Sequence, residues 1–214
     1  MQYQQAPAPA RDSAQFDVYM RKIVMWGCDW QYARTTNSAY KQKGGWEGWA
    51  QVEIAFMFSN LPDAADSFKR DLYGASCESN DLGLLAVSRE QPVYRNKPRD
   101  KADILMWHPP AHYIGNTYSN NFPMTYPVVM IELKCESFNN QQKFKSNVTS
   151  DLKKMNDADP VHRPCWIYCV ALSMTTEGDE AMRELQMNRE MRPMDFGVFL
   201  DCAFNVFWQK KYFP

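Results

Sequence analysis

The apolar positions of this chain follow two periods, and the first stretches are helical. From Asp12 onward, Phe16, Tyr19, Met20 and Ile23 fall on one helix face, and Asp12 with Gln15 makes a capping-box pair at the start. Residues 1–11 ahead of it are rich in Gln, Ala and Pro and are expected to form a disordered tail. After a loop ending in Gly44 and Gly45, the stretch WEGWAQVEIAFMFSNLP predicts a second helix, stopped by Pro62. Trp49, Val52, Ile54, Phe56, Met57 and Phe58 make it apolar around most of its circumference, so it should be central and largely buried. Glu53 stands between Trp49 and Phe56 inside that apolar surface, where a carboxylate needs a reason. A shorter helix is expected from Asp63 as N-cap to Gly74 as stop.

The pattern then changes to short apolar runs bounded by turn residues. LLAVSREQPVYRN predicts a first strand, bent or placed at an edge by Pro92, and DKADILMWHPP a second, closed by Pro109 and Pro110. After a loop rich in Tyr and Asn comes a third strand, PVVMIELKCES. QKFKSNVTSDLKKMNDA is an amphipathic helix with Phe144, Val148, Leu152 and Met155 on one face. CWIYCVALSM predicts a fourth strand, EGDEAMRELQMNREM a charged helix, and FGVFLDCAFNVFWQ a last strand or strand pair. Helices, three strands, helix, strand, helix, strand describe a mixed α/β fold with a small central sheet, one domain over residues 12–214.

Composition adds little constraint and removes some functions. The net charge of −1 gives no global basic field, so binding to a polyanion would need a local patch. Six scattered cysteines without a C-x-x-C pair favour reduced thiols and an intracellular site, cytoplasm or nucleus; a secreted effector whose signal peptide has been removed is the other reading. No run is apolar for long enough to span a bilayer, so no membrane partner is expected. P-loop, G-x-G-x-x-G and G-x-S-x-G motifs are missing, which removes the commonest nucleotide-binding and hydrolase readings.

The third strand carries Glu132 and Lys134 near its end, pointing the same way because strand side chains alternate. Taken alone they read as a charge pair at the sheet rim. Asp103 opens the preceding strand, and a hairpin would set it beside Glu132. Two close carboxylates repel, and a divalent cation is the usual remedy: Mg²⁺ accepts one or two carboxylates, a carbonyl and waters, and favours phosphate oxygens. An ammonium alongside can orient or activate a water and stabilise charge developing on phosphorus.

With Asp103 in ADIL, and Glu132 and Lys134 in IELK, the chain resembles the PD-(D/E)XK, or restriction-endonuclease-like, nuclease superfamily. The resemblance runs from about Gly44 to Met174. It implies a core in the order helix, three strands, helix, strand, extended here by N-terminal helices and a C-terminal helix and strand. It implies hydrolysis of phosphodiester bonds, of DNA ahead of RNA, with Mg²⁺ or Mn²⁺ as cofactor. Asp103, Glu132 and the Leu133 carbonyl would hold the metal, and Lys134 would handle the water. Glu53, with Glu47 as its rival, would be the carboxylate of the preceding helix. The superfamily's Pro before the Asp is Ala102 here. Lys143, Lys145, Lys153 and Lys154, with Arg95, Lys97, Arg99 and Lys101, would form a phosphate-tracking rim; ordinary surface charge is the alternative. A protein partner or a second copy of the chain is the expected occupant if the fold serves as an interaction module or effector instead. His108 and His112 read as loop histidines, His162 to Cys165 as isolated, and Asp151 with Lys154 as a solvated helix face.

Overall fold

In the computed structural model the structure describes residues 18–28, 40, 46–59, 86–107, 128–188, 192–193 and 204–214. The tail 1–11, the helix start at Asp12, the helix expected over Asp63–Gly74, and the loop with His108 and His112 lie outside them, as does the first half of the last apolar run.

The described strands are β1 (Ala86–Pro92), β2 (Lys101–Trp107), β3 (Val128–Cys135), β4 (Cys165–Ser173), β5 (Arg192–Pro193) and β6 (Asn205–Phe213). They join one mixed sheet in the order β1-β2-β3-β4-β6-β5. β1, β2 and β3 form an antiparallel meander, β3 and β4 run parallel, and β6 returns antiparallel to β4. A parallel neighbour needs a long crossover, and the helix α3 (Gln141–Asn156) supplies it. β3 lies inside the sheet with all residues but Lys134 buried, which is why its sequence is a continuous apolar run.

Helices cover both faces. On one, α1 (Val18–Cys28) and α2 (Glu47–Ser59) bury Met20, Ile23, Trp46, Ile54 and Phe58 against Ile104, Ile131, Leu133 and Val170. On the other, α3 sets Phe144, Val148, Leu152 and Met155 against Met130, Ile167 and Cys169, at the spacing its periodicity predicts. Beside it packs α4 (Thr176–Met187), capped by Thr175, whose hydroxyl accepts from the Gly178 amide at 3.1 Å.

α2 departs from expectation. Its buried stripe is Trp46, Ala50, Ile54 and Phe58, while Val52 and Phe56 are exposed. A helix apolar all round has no periodicity to choose a face, so packing chose one. Cys135, Cys165 and Cys169 are free, buried thiols. No helix among the described residues is long and apolar enough to cross a membrane.

Candidate functional site

The chemistry-bearing residues meet where the sheet begins to open. The β1–β2 register places Glu90 opposite Asp103, yet that pair is missing from the ladder, and Glu90 has a left-handed backbone with φ 55°. The β2–β3 ladder stops at Ile104 and Ile131, one step short of Asp103 and Glu132. With no backbone partner beyond that point, the Leu133 amide donates instead to Asp103 Oδ2 at 2.7 Å. Asp103 therefore substitutes its side chain for a rung of the sheet.

Glu132 is buried on the α3 face. Its Oε1 accepts from the Tyr94 hydroxyl, and its Oε2 from Lys154 Nζ at 2.9 Å. Lys154 also donates to the Lys101 carbonyl at 2.8 Å and lies 4.9 Å from the centre of the Tyr94 ring. Lys134 Nζ donates to Glu47 Oε1 at 2.9 Å and to its neighbour's carbonyl, Leu133 O, at 3.2 Å. Asp151 Oδ2 stands 3.4 Å from the same ammonium, within ion-pair range but without hydrogen-bond geometry. The second oxygen of Glu47 accepts from the Cys135 amide at 3.3 Å.

The α2 carboxylate at this site is thus Glu47, in the first helical turn, and not Glu53. Six residues further on, Glu53 lies ~9 Å along the axis and ~240° around it, so one helix cannot present both to the same ammonium. Asp151 and Lys154 require the same kind of correction. They face inward, and Asp151 falls on the apolar stripe itself, three residues after Val148 and four before Met155. That position was the available signal. Tyr94 had none, because a tyrosine following a short strand is ordinary core material.

Four carboxylates (Glu47, Asp103, Glu132, Asp151) and two ammonium groups (Lys134, Lys154) share this region, an excess of two negative charges when all are ionised. Burial pushes the Asp103 carboxyl up to about 6, opposed by the Leu133 amide and Lys134. Burial likewise raises Glu132 to about 7, against Lys154 and the Tyr94 hydroxyl, and with a further push from Asp103. Burial also raises Asp151, and Lys134 and Lys154 oppose it. Burial by itself would lower Lys134, but Asp151, Glu47 and Asp103 together outweigh it and hold the ammonium above the ordinary lysine range. Lys134 is therefore a fixed positive charge at neutral pH and not a proton acceptor.

Glu136, next along the chain, has a different task. It is fully buried and accepts from the Met174 amide at 2.7 Å and the Thr175 amide at 2.9 Å, with the Thr175 hydroxyl on its other oxygen. A Cβ added to Gly178 would fall 2.2 Å from Glu136 Oε2, so glycine is the residue that leaves room for this carboxylate at the start of α4. Glu136 ties β3 to the β4–α4 turn and is spent on structure.

Among the described residues no three His, Cys, Asp or Glu side chains are disposed to hold a metal by themselves. A closed structural zinc site is thus not what these residues make. The demands of Mg²⁺ are smaller, one or two carboxylates completed by water, and the hard oxygens of Asp103 and Glu132 on adjacent strands, within a charge excess of two, fit them. Of the basic residues, Lys154 is inside the site. Arg95, Lys97, Arg99, Lys101 and Lys153 are exposed, on the β1–β2 connection, the start of β2 and the end of α3. Lys143 is exposed too, and Lys145 pairs with Glu184 on α4. Comparison of the chain with protein-family models, curated proteins and solved structures returns no match, so its functional reading stands on these residues and their placement.

Proposed function

We propose that the chain is a magnesium-dependent nuclease that hydrolyses phosphodiester bonds of nucleic acid, with DNA as the first substrate to test. The observation that carries this reading is the cluster itself: Asp103 and Glu132 on neighbouring strands, with the Lys134 ammonium between Glu47 and Asp151. The element order supports it, since a carboxylate-bearing helix, a three-strand meander, a helix and a fourth strand are the parts the superfamily resemblance implies.

Asp103, Glu132 and the Leu133 carbonyl would hold the cation, which when bound supplies Lewis acidity toward a phosphoryl oxygen. The remaining work belongs to the chain. Lys134, kept charged by its carboxylate neighbours, stabilises negative charge building on the phosphoryl group and orients a water by donating to it. Glu47 and Asp151 hold that ammonium in place. The exposed cations of the β1–β2 connection and of Lys153 give the phosphate backbone a salt-sensitive rim.

Incubation of DNA and RNA with Mg²⁺ or Mn²⁺ tests the proposal. Wild type should cleave at least one of them, and Asp103→Asn, Glu132→Gln and Lys134→Ala should each lower the rate by ~100-fold or more. A wild-type protein that cuts neither substrate with either metal refutes it. The second reading, an idle nuclease-like fold that binds a protein, draws on one observation: both Glu132 oxygens already have protein donors. In that case Mg²⁺ and Mn²⁺ leave the melting temperature unchanged.

A further inference from the structure

We infer that Lys154 governs access to Glu132: its ammonium holds the place of a cation in the resting protein, and a divalent ion reaches Glu132 only by displacing it. The inference rests on the reading of Glu132 as a cation ligand. Glu132 has two oxygens; Tyr94 occupies one and Lys154 the other. The carboxylate side chain is 3% exposed and that of Lys154 16%, so water does little for the carboxylate, which depends on its protein donors. Each carboxylate oxygen has a second acceptor position, but a divalent ion on Glu132 Oε2 would stand ~4 Å from an ammonium donating to the same oxygen, and at this depth their repulsion drives the ammonium out.

The two lysines of the site differ in what holds them. Lys134 sits between two carboxylates from different helices and has no reason to leave when Glu132 changes partner. Among the described residues Lys154 touches one carboxylate, Glu132, and feels Asp151 only at longer range. The Lys101 carbonyl at 2.8 Å and the Tyr94 ring at 4.9 Å are neutral and lie on the β1–β2 side, where they can retain the displaced ammonium. From there it joins Arg95, Lys97, Arg99 and Lys101 at the exposed rim, offered to a phosphate. Lys154 is thus a positioning residue that lowers resting cation affinity and adds a substrate contact once the cation is in.

The test is titration of the nucleic-acid-free protein with Mg²⁺ and Mn²⁺ by calorimetry, for wild type, Lys154→Met and Lys153→Met. Methionine keeps the length of the stem and removes the charge. Lys154→Met should bind the cation ~10-fold more tightly or better, since hydrogen bonds between charged groups are no longer broken on binding. Lys153→Met, one position away and exposed, should stay within ~2-fold, which separates displacement from a general change of charge. In parallel, wild type pulsed with an amine-acylating reagent should show Lys154 labelling rise several-fold with Mg²⁺, read by peptide mass spectrometry, while Lys134 stays protected. If wild type binds and Lys154→Met binds no more tightly, displacement is overturned while the cation reading stands. If neither binds, Glu132 is not a cation ligand and both fall. Should Lys154→Met fail to fold, the labelling decides: Lys154 reactivity unchanged by bound Mg²⁺ overturns the inference.

Discussion

Replacing Glu132 by glutamine should change not only the stability of the protein but the way that stability depends on pH. Burial raises the Glu132 carboxyl from an ordinary 4.5 to about 7 in the folded chain. Between those values the folded state binds a proton that the unfolded chain has released. By linkage, stability is then fully present below about pH 4.5 and is lost as pH rises through 7. At ~1.4 kcal/mol per tenfold change in proton affinity, the loss is ~3 kcal/mol. Asp103, raised from 3.8 to about 6, contributes in the same direction but is present in both proteins and largely cancels from their difference. Urea unfolding of wild type and Glu132→Gln at pH 4.5, 6 and 8 measures the effect. Glutamine imposes an offset, because its amide cannot accept from both Tyr94 and Lys154, but that offset does not titrate. The variant should gain ~3 kcal/mol on wild type between pH 4.5 and 8. A flat difference, or one sloping the other way, would show that Lys154 and Tyr94 outweigh burial and that the carboxylate is content without another cation.

Two further outcomes are expected. Glu90→Gly should leave stability unchanged or raise it by ~1 kcal/mol in urea denaturation, since φ 55° is costly for glutamate and free for glycine, and the Lys101 pair it gives up is long and exposed. Glu136→Ala should destabilise by ~3 kcal/mol, as it strands the part-buried amides of Met174 and Thr175 and the Thr175 hydroxyl and leaves a hole where a fully buried side chain stood, yet leave calorimetric Mg²⁺ affinity as in wild type.

The parts legible in the sequence were those where one pattern had one solution. A short apolar run rich in β-branched residues and opened by Pro127 favours an interior strand at Val128 to Ile131, and Phe144, Val148, Leu152 and Met155 can share a face only as a helix. Glu132 and Lys134 on one strand face followed from the period of two. The choice between Glu47 and Glu53 did not, because α2 is apolar on nearly every side and its orientation is decided by Trp46 and Phe58 finding the sheet. Asp151 was legible: a carboxylate within an apolar stripe, the feature that distinguishes Glu53 in the sequence, describes Asp151 better still. Tyr94 and the bond from Leu133 to Asp103 belong to long-range geometry, which no local spacing encodes.

Lys134 touches Glu47 from the helix layer on one side of the sheet and Asp151 from the layer on the other. If the proposed reaction were lost from a lineage, the charges of the site could not be shed one at a time. Losing Lys134 first would strand two carboxylates at once, the half-buried Glu47 of one layer and the less exposed Asp151 of the other, a loss that a marginally stable domain does not have to give. Losing Glu47 or Asp151 first is the milder route, since the ammonium keeps the other. Dismantling of the cluster would therefore run through its acids before its lysine, and a descendant that retains the lysine beside neutralised acids would mark a chain part-way along that path.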